Sequence, residues 1–174
     1  HTHATGHVVH ERRVIPPPLR SGSTPFGYRP TDGAKKPQPH KVDPGVVVTP
    51  AISRAMFHMK AAMPHAEADP TRPFYHLHAP AQWMNDPNGA IFHEGWCHIF
   101  YQFNPYGDSW SSIHWGHARS RDLVHWEHMP IALYPSEDKG EEHCFSGSSA
   151  ITADNKPMLF YTSVRKGKDP KEYA

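Results

Sequence analysis

A carboxylate, two amides and an indole fall within seven consecutive residues, Trp83-Met84-Asn85-Asp86-Pro87-Asn88-Gly89. Asp86 can accept hydrogen bonds or attack an electrophilic carbon, Asn85 and Asn88 can bond hydroxyls, and Trp83 offers a flat apolar face. Asp first, Pro second and Gly fourth is also the composition of a type I β-turn, so the spacing predicts a tight turn over residues 86–89. On composition alone Asp86 either only caps that turn or is presented by it. Further groups of matching chemistry lie downstream. Trp110 sits in the polar run Gly107-Asp108-Ser109-Trp110-Ser111-Ser112, outside any apolar periodicity, whereas Trp96, Trp115 and Trp126 read as core. Gln102 interrupts the apolar run Ile99-Phe100-Tyr101 and Phe103, and is either solvent-facing or bonded to a specific partner. Phe145 and Ser146 open the small-residue stretch Phe145-Ser146-Gly147-Ser148-Ser149. Aromatic walls, amides, a hydroxyl and one carboxylate are what a site for a small carbohydrate needs.

A repeat supplies the elements that would position these groups. Ala90–Gln102 and Ala150–Thr162 superimpose at an offset of 60 residues. In each, Ala-Ile opens a strand, an acidic residue followed by Gly or Asn makes the turn, and Phe-Tyr ends a second strand, so both read as β-hairpins. Ile113–Ser120 and Leu123–Met129 add two strand candidates, separated by a turn at Ser120-Arg121-Asp122. Units of about four antiparallel strands at a fixed period predict an all-β chain of propeller blades, each needing a neighbour to bury its faces. Loops at the ends of the inner strands then converge on one channel, which would bring the Asp86 and Ser146 stretches together. A β-sandwich explains the turns but not the 60-residue self-match.

Composition divides the chain. Thirteen of the 19 prolines fall in the first 80 residues, among scattered His, Gly and charged residues without periodicity. Residues 1–71 are therefore expected to form a disordered or linker-like Pro/His-rich leader, with the folded part spanning residues 72–174. Lys and Arg total 18 against 17 Asp and Glu, so charge gives no case for nucleic acid or an anionic membrane. No apolar run is long enough to span a bilayer. The chain opens on His1, which leaves the compartment, cytoplasmic or secreted, undecided. Cys97 and Cys144 form no metal or disulfide framework, and the 16 histidines lack metal-ligand spacing, so neither metal nor cofactor is expected.

Five ordered motifs resemble glycoside hydrolase family 32, the invertases, inulinases and levanases: Trp83–Gly89, Phe100-Tyr101-Gln102-Phe103-Asn104-Pro105, Trp115-Gly116-His117-Ala118, Ser120–Trp126 and Phe145-Ser146-Gly147-Ser148. The resemblance covers about 100 residues from Phe74. It implies the first blade and part of the second of a five-bladed β-propeller, in an enzyme that releases terminal β-D-fructofuranosyl groups from sucrose or fructans with retention. It further implies Asp86 as nucleophile, with Trp83, Asn85, Gln102, Trp110, Phe145 and Ser146 around the fructosyl unit. The family's Arg-Asp-Pro motif and its acid/base Glu-Cys motif belong to later blades and are not matched. Lys168-Asp169-Pro170 reads as a turn, and Glu142-His143-Cys144 is not the acid/base motif. The chain is accordingly expected to be an N-terminal fragment without hydrolytic activity of its own. A non-catalytic carbohydrate-binding propeller and a related furanosidase or fructosyltransferase are the alternative readings.

Overall fold

The computed structural model describes residues 49–167 and the short strand Glu172–Tyr173. The expected turn at Lys168-Asp169-Pro170 and the leader up to residue 48 lie outside the described residues. Helix α1 (Pro50–Ala68) precedes seven strands: β1 (Trp83–His93), β2 (Trp96–Asn104), β3 (His114–Ser120), β4 (Glu127–Leu133), β5 (Glu141–Ile151), β6 (Pro157–Arg165) and β7 (Glu172–Tyr173). The first four form one antiparallel sheet in the order β1-β2-β3-β4, and the last three a second in the order β5-β6-β7. Each is a meander of the kind a propeller blade requires.

The hairpins follow the sequence signals. Glu94 and Gly95 both adopt positive φ, 48° and 79°, as a two-residue turn between right-twisted strands demands. The 60-residue repeat reappears in the register. Asn88 pairs with Phe100 and Pro87 with Tyr101 in the first sheet, and Ser148 with Phe160 and Gly147 with Tyr161 in the second.

Two strand expectations are corrected. Asp86-Pro87-Asn88-Gly89 is not a free-standing turn but part of β1, with register shifts between Met84 and Pro87 and between Asn88 and Ile91. Tertiary pairing with β2 overrides the local turn preference, and β-bulges absorb Asn85 and Asp86 on one side of Pro87 and, on the other, Gly89, whose φ is +58°. The fourth strand begins at Glu127 and not at Leu123. The Asp122 carboxylate accepts from the backbone N–H of Val124 at 2.9 Å and of His125 at 2.8 Å, which takes these donors away from a ladder.

The expected leader is corrected over residues 50–68, which form α1. Thr49 caps it, its hydroxyl accepting from Ile52 N–H at 3.3 Å, and Pro50 occupies the first turn. Pro64 lies inside the helix, but Ile52, Ala55, Met56, Met59 and Met63 recur at i, i+3, i+4, i+7 and i+11, an apolar stripe embedded in a segment whose proline and histidine content points the other way. Its stability comes from packing. Ala55 and Met59 join Tyr101, Phe103, Ala118 and Ile131 on one face of the first sheet. The opposite face carries Phe100, Trp115 and Leu133, which meet Cys144 and Leu159 of the second sheet. The alternation of Phe100 with Tyr101 along β2 thus serves two different partners. Among the described residues no helix is long and apolar enough to cross a membrane.

The first sheet also buries histidines. His98 and His117 share a hydrogen bond of 3.0 Å, one ring donating and the other accepting. Desolvation, followed by the Arg119 charge, holds His98 down to about 4. Burial first also holds His114 and His128 to about 4 and His117 well below its ordinary value. All four are neutral in the fold at pH 7. As pH falls below about 6.5 the unfolded chain takes up protons that the folded chain refuses, so stability declines toward pH 4. Thermal melts between pH 7.5 and 4 are expected to show a progressive fall in midpoint, equivalent to several kcal/mol in total on the order of magnitude of such shifts. A flat profile through that window would contradict the assignment.

Candidate active site

The site is built where β1 meets β5. Between the pairs Met84–Phe103 and Pro87–Tyr101, two residues of β1, Asn85 and Asp86, face one residue of β2, Gln102. This bulge turns Asp86 outward, and it is exposed. In β5 the corresponding irregularity falls between Phe145 and Gly147, which singles out Ser146. The two bulges touch: the Ser146 hydroxyl donates to Asp86 Oδ2 at 3.2 Å. One turn of pairing further on, the Ser149 hydroxyl donates to the Gly89 carbonyl at 2.9 Å. Both contacts join positions 60 residues apart, the period of the repeat. Equivalent points of adjacent blades therefore meet along their inner strands.

The stretch read as a small-residue loop, Phe145–Ser149, is accordingly a bulged strand. Gly147 is required there by space, since a Cβ would lie 1.9 Å from the Phe160 carbonyl oxygen. On the other side, Asn88 Nδ2 donates to the Asp86 carbonyl at 3.1 Å and steadies the peptide that carries the carboxylate.

The aromatic residues separate as the sequence predicts. Trp115 is fully buried and Trp96 nearly so, while Trp110 stays 51% exposed. The Trp110 ring packs edge-on against Phe145, centroids 6.1 Å apart, so these two walls do stand together. The loop bearing Trp110 is fixed from below. Buried Asn104 donates to the Ser109 carbonyl at 2.8 Å and accepts from Tyr106 N–H at 3.0 Å. Trp83 N–H donates to the Gly107 carbonyl at 3.0 Å, which ties the start of β1 to the same loop. Direct contacts thus join Asp86 to Ser146 and Trp110 to Phe145, whereas strand register places Trp83, Asn85 and Gln102 beside them. Gln102 is buried, which resolves its sequence ambiguity against a solvent-facing role.

Four residues outside the sequence-based set hold the two sheets together at this point. Trp115 Nε1–H donates to the Phe145 carbonyl at 3.1 Å, and Cys144 N–H donates to the Ile113 carbonyl at 2.8 Å. Ile113 N–H in turn donates to His143 Nδ1 at 3.2 Å. Ser149 was discoverable from the repeat, as the position 60 residues beyond Gly89; the Trp115 and His143 links carry no such signal. Trp115→Phe keeps most of the packing but leaves the Phe145 carbonyl without its donor, and is expected to cost about 1–3 kcal/mol in urea denaturation. A loss below a few tenths of a kcal/mol would show that water replaces the indole at no cost. Glu141, at the start of β5, accepts from Tyr161, Ser163 and the Ser136 N–H. That buried carboxylate is a structural anchor and not a spare acid. Among the described residues no group of three or more His, Cys, Asp or Glu is arranged to hold a metal ion.

Meandering blades related by a 60-residue register, with bulged inner strands meeting at a carboxylate, define the chain as part of a β-propeller protein. The model of the Glycosyl hydrolases family 32 N-terminal domain matches residues 76–173, and the chain belongs to that family. It is 47% identical over 113 residues to a levanase of Bacillus subtilis (strain 168), covering 59% of this chain and 16% of the relative. It is 48% identical over 90 residues to a sucrose-6-phosphate hydrolase of Escherichia coli, covering 52% of this chain and 19% of that protein. Among solved structures, a Bombyx mori GH32 β-fructofuranosidase is similar with a TM-score of 0.60 at 40% identity, over 70% of this chain and 25% of its own. A variant of that enzyme, at 39% identity and the same TM-score of 0.60, was solved in complex with sucrose. The chain thus spans less than a fifth of the length of these two curated relatives.

Proposed function

We propose that this chain supplies the nucleophile-bearing blades of a retaining glycoside hydrolase that releases terminal β-D-fructofuranosyl residues from sucrose or fructans. The observation that carries the reading is the exposed Asp86 carboxylate on a bulge, bonded by Ser146 from the next blade. The relatives add support, since two are named as a levanase and a sucrose-6-phosphate hydrolase and a structural neighbour was solved in complex with sucrose.

In this reading Asp86 attacks C2 of the fructosyl unit while the glycosidic oxygen leaves with a proton, giving a fructosyl ester on Asp86. Water then cleaves that ester, and the second inversion at C2 restores the original configuration. Asp86 works as the carboxylate, and the Ser146 hydroxyl holds one of its oxygens so that the other faces the anomeric carbon. Trp83, Trp110 and Phe145 flank the sugar, with Asn85, Gln102 and Ser146 as hydroxyl partners. The resemblance to the family assigns the proton donor to a Glu-Cys motif that is not matched here, and Glu141 is no substitute, since its carboxylate is engaged by Tyr161, Ser163 and the Ser136 N–H.

The test has two arms. The complete enzyme containing this domain is expected to liberate fructose from sucrose, inulin or levan, and a rapidly quenched turnover to yield a fructosyl adduct on the peptide carrying Asp86. The 174-residue chain alone is expected to show no sucrose cleavage, because loss of general acid catalysis removes about 10²- to 10⁴-fold. An adduct on a different carboxylate, or steady cleavage by the chain alone, refutes the assignment.

A further inference from the structure

We infer that His143 is a positioning residue of the fructosyl pocket, holding the exposed Trp110 ring against Phe145; the inference rests on the pocket assignment made above. Three rings close a triangle at this place. His143 lies 4.8 Å from Trp110, tilted by 44°, and 5.7 Å from Phe145, stacked at 25°, while Trp110 and Phe145 stand 6.1 Å apart.

The need for such a residue follows from where Trp110 sits. Its backbone is organised through Asn104, but its indole is half exposed on a loop and no strand register fixes its χ angles. A wall for a sugar ring must be preorganised, because freezing a mobile indole on binding subtracts from affinity. His143 comes from β5, in the other sheet, on the same side of the strand as Phe145 two residues on. It is itself fixed, since Nδ1 accepts from Ile113 N–H at 3.2 Å. That bond sets the neutral tautomer with its proton on Nε2. One imidazole therefore does two separable things: its Nδ1 links the sheets, and its ring face orients Trp110.

Two substitutions pull these apart. His143→Asn keeps an acceptor near the Nδ1 position and loses the ring; His143→Phe keeps the ring and loses the acceptor. Fructose and sucrose are titrated into the 174-residue chain by NMR, following indole N–H signals assigned with Trp110→Phe, with melting midpoints recorded alongside. His143→Asn is expected to shift the Trp110 indole signal in the sugar-free chain and to weaken sugar binding about 3- to 10-fold, the range of an aromatic pair. His143→Phe is expected to keep the indole signal and affinity within about twofold while lowering the midpoint, by losing the partner of Ile113 N–H. Affinity that follows the acceptor instead of the ring, or an indole signal unmoved by His143→Asn, overturns the proposal. Trp110→Ala separates the two levels. If it weakens binding while His143→Asn does not, the His143 role fails alone. If Trp110→Ala binds sugar as the parent chain does, the pocket assignment fails, and the sugar-free indole shift still decides whether His143 places Trp110.

Discussion

Replacing Asp86 with Asn is expected to lower sucrose turnover by the complete enzyme by about 10⁴-fold or more, with the fold intact. An amide cannot form the fructosyl ester, and loss of a covalent nucleophile is among the largest single-residue effects on kcat. A factor of 10⁴ corresponds to about 5.5 kcal/mol of transition-state stabilisation. The side chain is exposed and its one inter-blade bond comes from a serine hydroxyl, which an amide oxygen can still accept. Stability should therefore change by no more than about 0.5 kcal/mol, as for surface substitutions in general. KM should move far less than kcat, because the substitution leaves Trp83, Trp110 and Phe145 of the proposed pocket in place. Steady-state kinetics beside a urea melt check both halves. Turnover within tenfold of the parent enzyme would exclude Asp86 as nucleophile and favour a binding-only propeller; parallel loss of stability and rate would make the effect one of folding.

Gly147→Ala is expected to destabilise the chain by about 3 kcal/mol or more, at or above the upper part of the range for steric overpacking. The added methyl would sit 1.9 Å from the Phe160 carbonyl oxygen and 2.8 Å from both the Phe160 carbonyl carbon and the Tyr161 Cα. All three are backbone atoms, so no rotamer change relieves the contact and β5 must separate from β6. That separation removes the bulge which singles out Ser146 from its neighbours. Loss of stability and loss of the Ser146–Asp86 bond are thus expected together. Exposed Ser148, one residue on, serves as the control, with Ser148→Ala changing stability by about 0.5 kcal/mol or less. Equal melting midpoints for the two variants would show that β5 and β6 do not approach as described.

The hairpins were legible because their causes are local. Turns of an acidic residue followed by Gly or Asn, Glu94-Gly95 and Asp154-Asn155, with positive φ at Gly95 and Asn155, and alternating residues specify β1–β2 and β5–β6 without help from distant chain. The 60-residue repeat was legible for the same reason, and it carried more than architecture, since Asp86 with Ser146 and Gly89 with Ser149 are in contact at that spacing. Helix α1 carried a local signal that proline and histidine content obscured. Ile52, Ala55, Met56, Met59 and Met63 form a short apolar stripe, but what it packs against, the face formed by Tyr101, Phe103 and Ile131, is set by the tertiary structure. Those partners lie some forty or more residues along the chain, beyond the reach of any local pattern.

The sequence by itself determined the chemical inventory at the site and the period at which it is deployed: one carboxylate, its flanking amides, the aromatic walls and the hydroxyl of the next repeat. Tertiary structure alone decided how they are presented. Asp-Pro-Asn-Gly has the composition of a turn, yet pairing with Phe100 and Tyr101 draws it into β1 and converts turn preference into bulges. Gln102 is buried opposite that bulge, and His143 spans two sheets to meet Trp110, because strand register and inter-blade packing are long-range quantities. Residue identity specifies which groups can react. The free energy of sheet pairing and core burial specifies where they point.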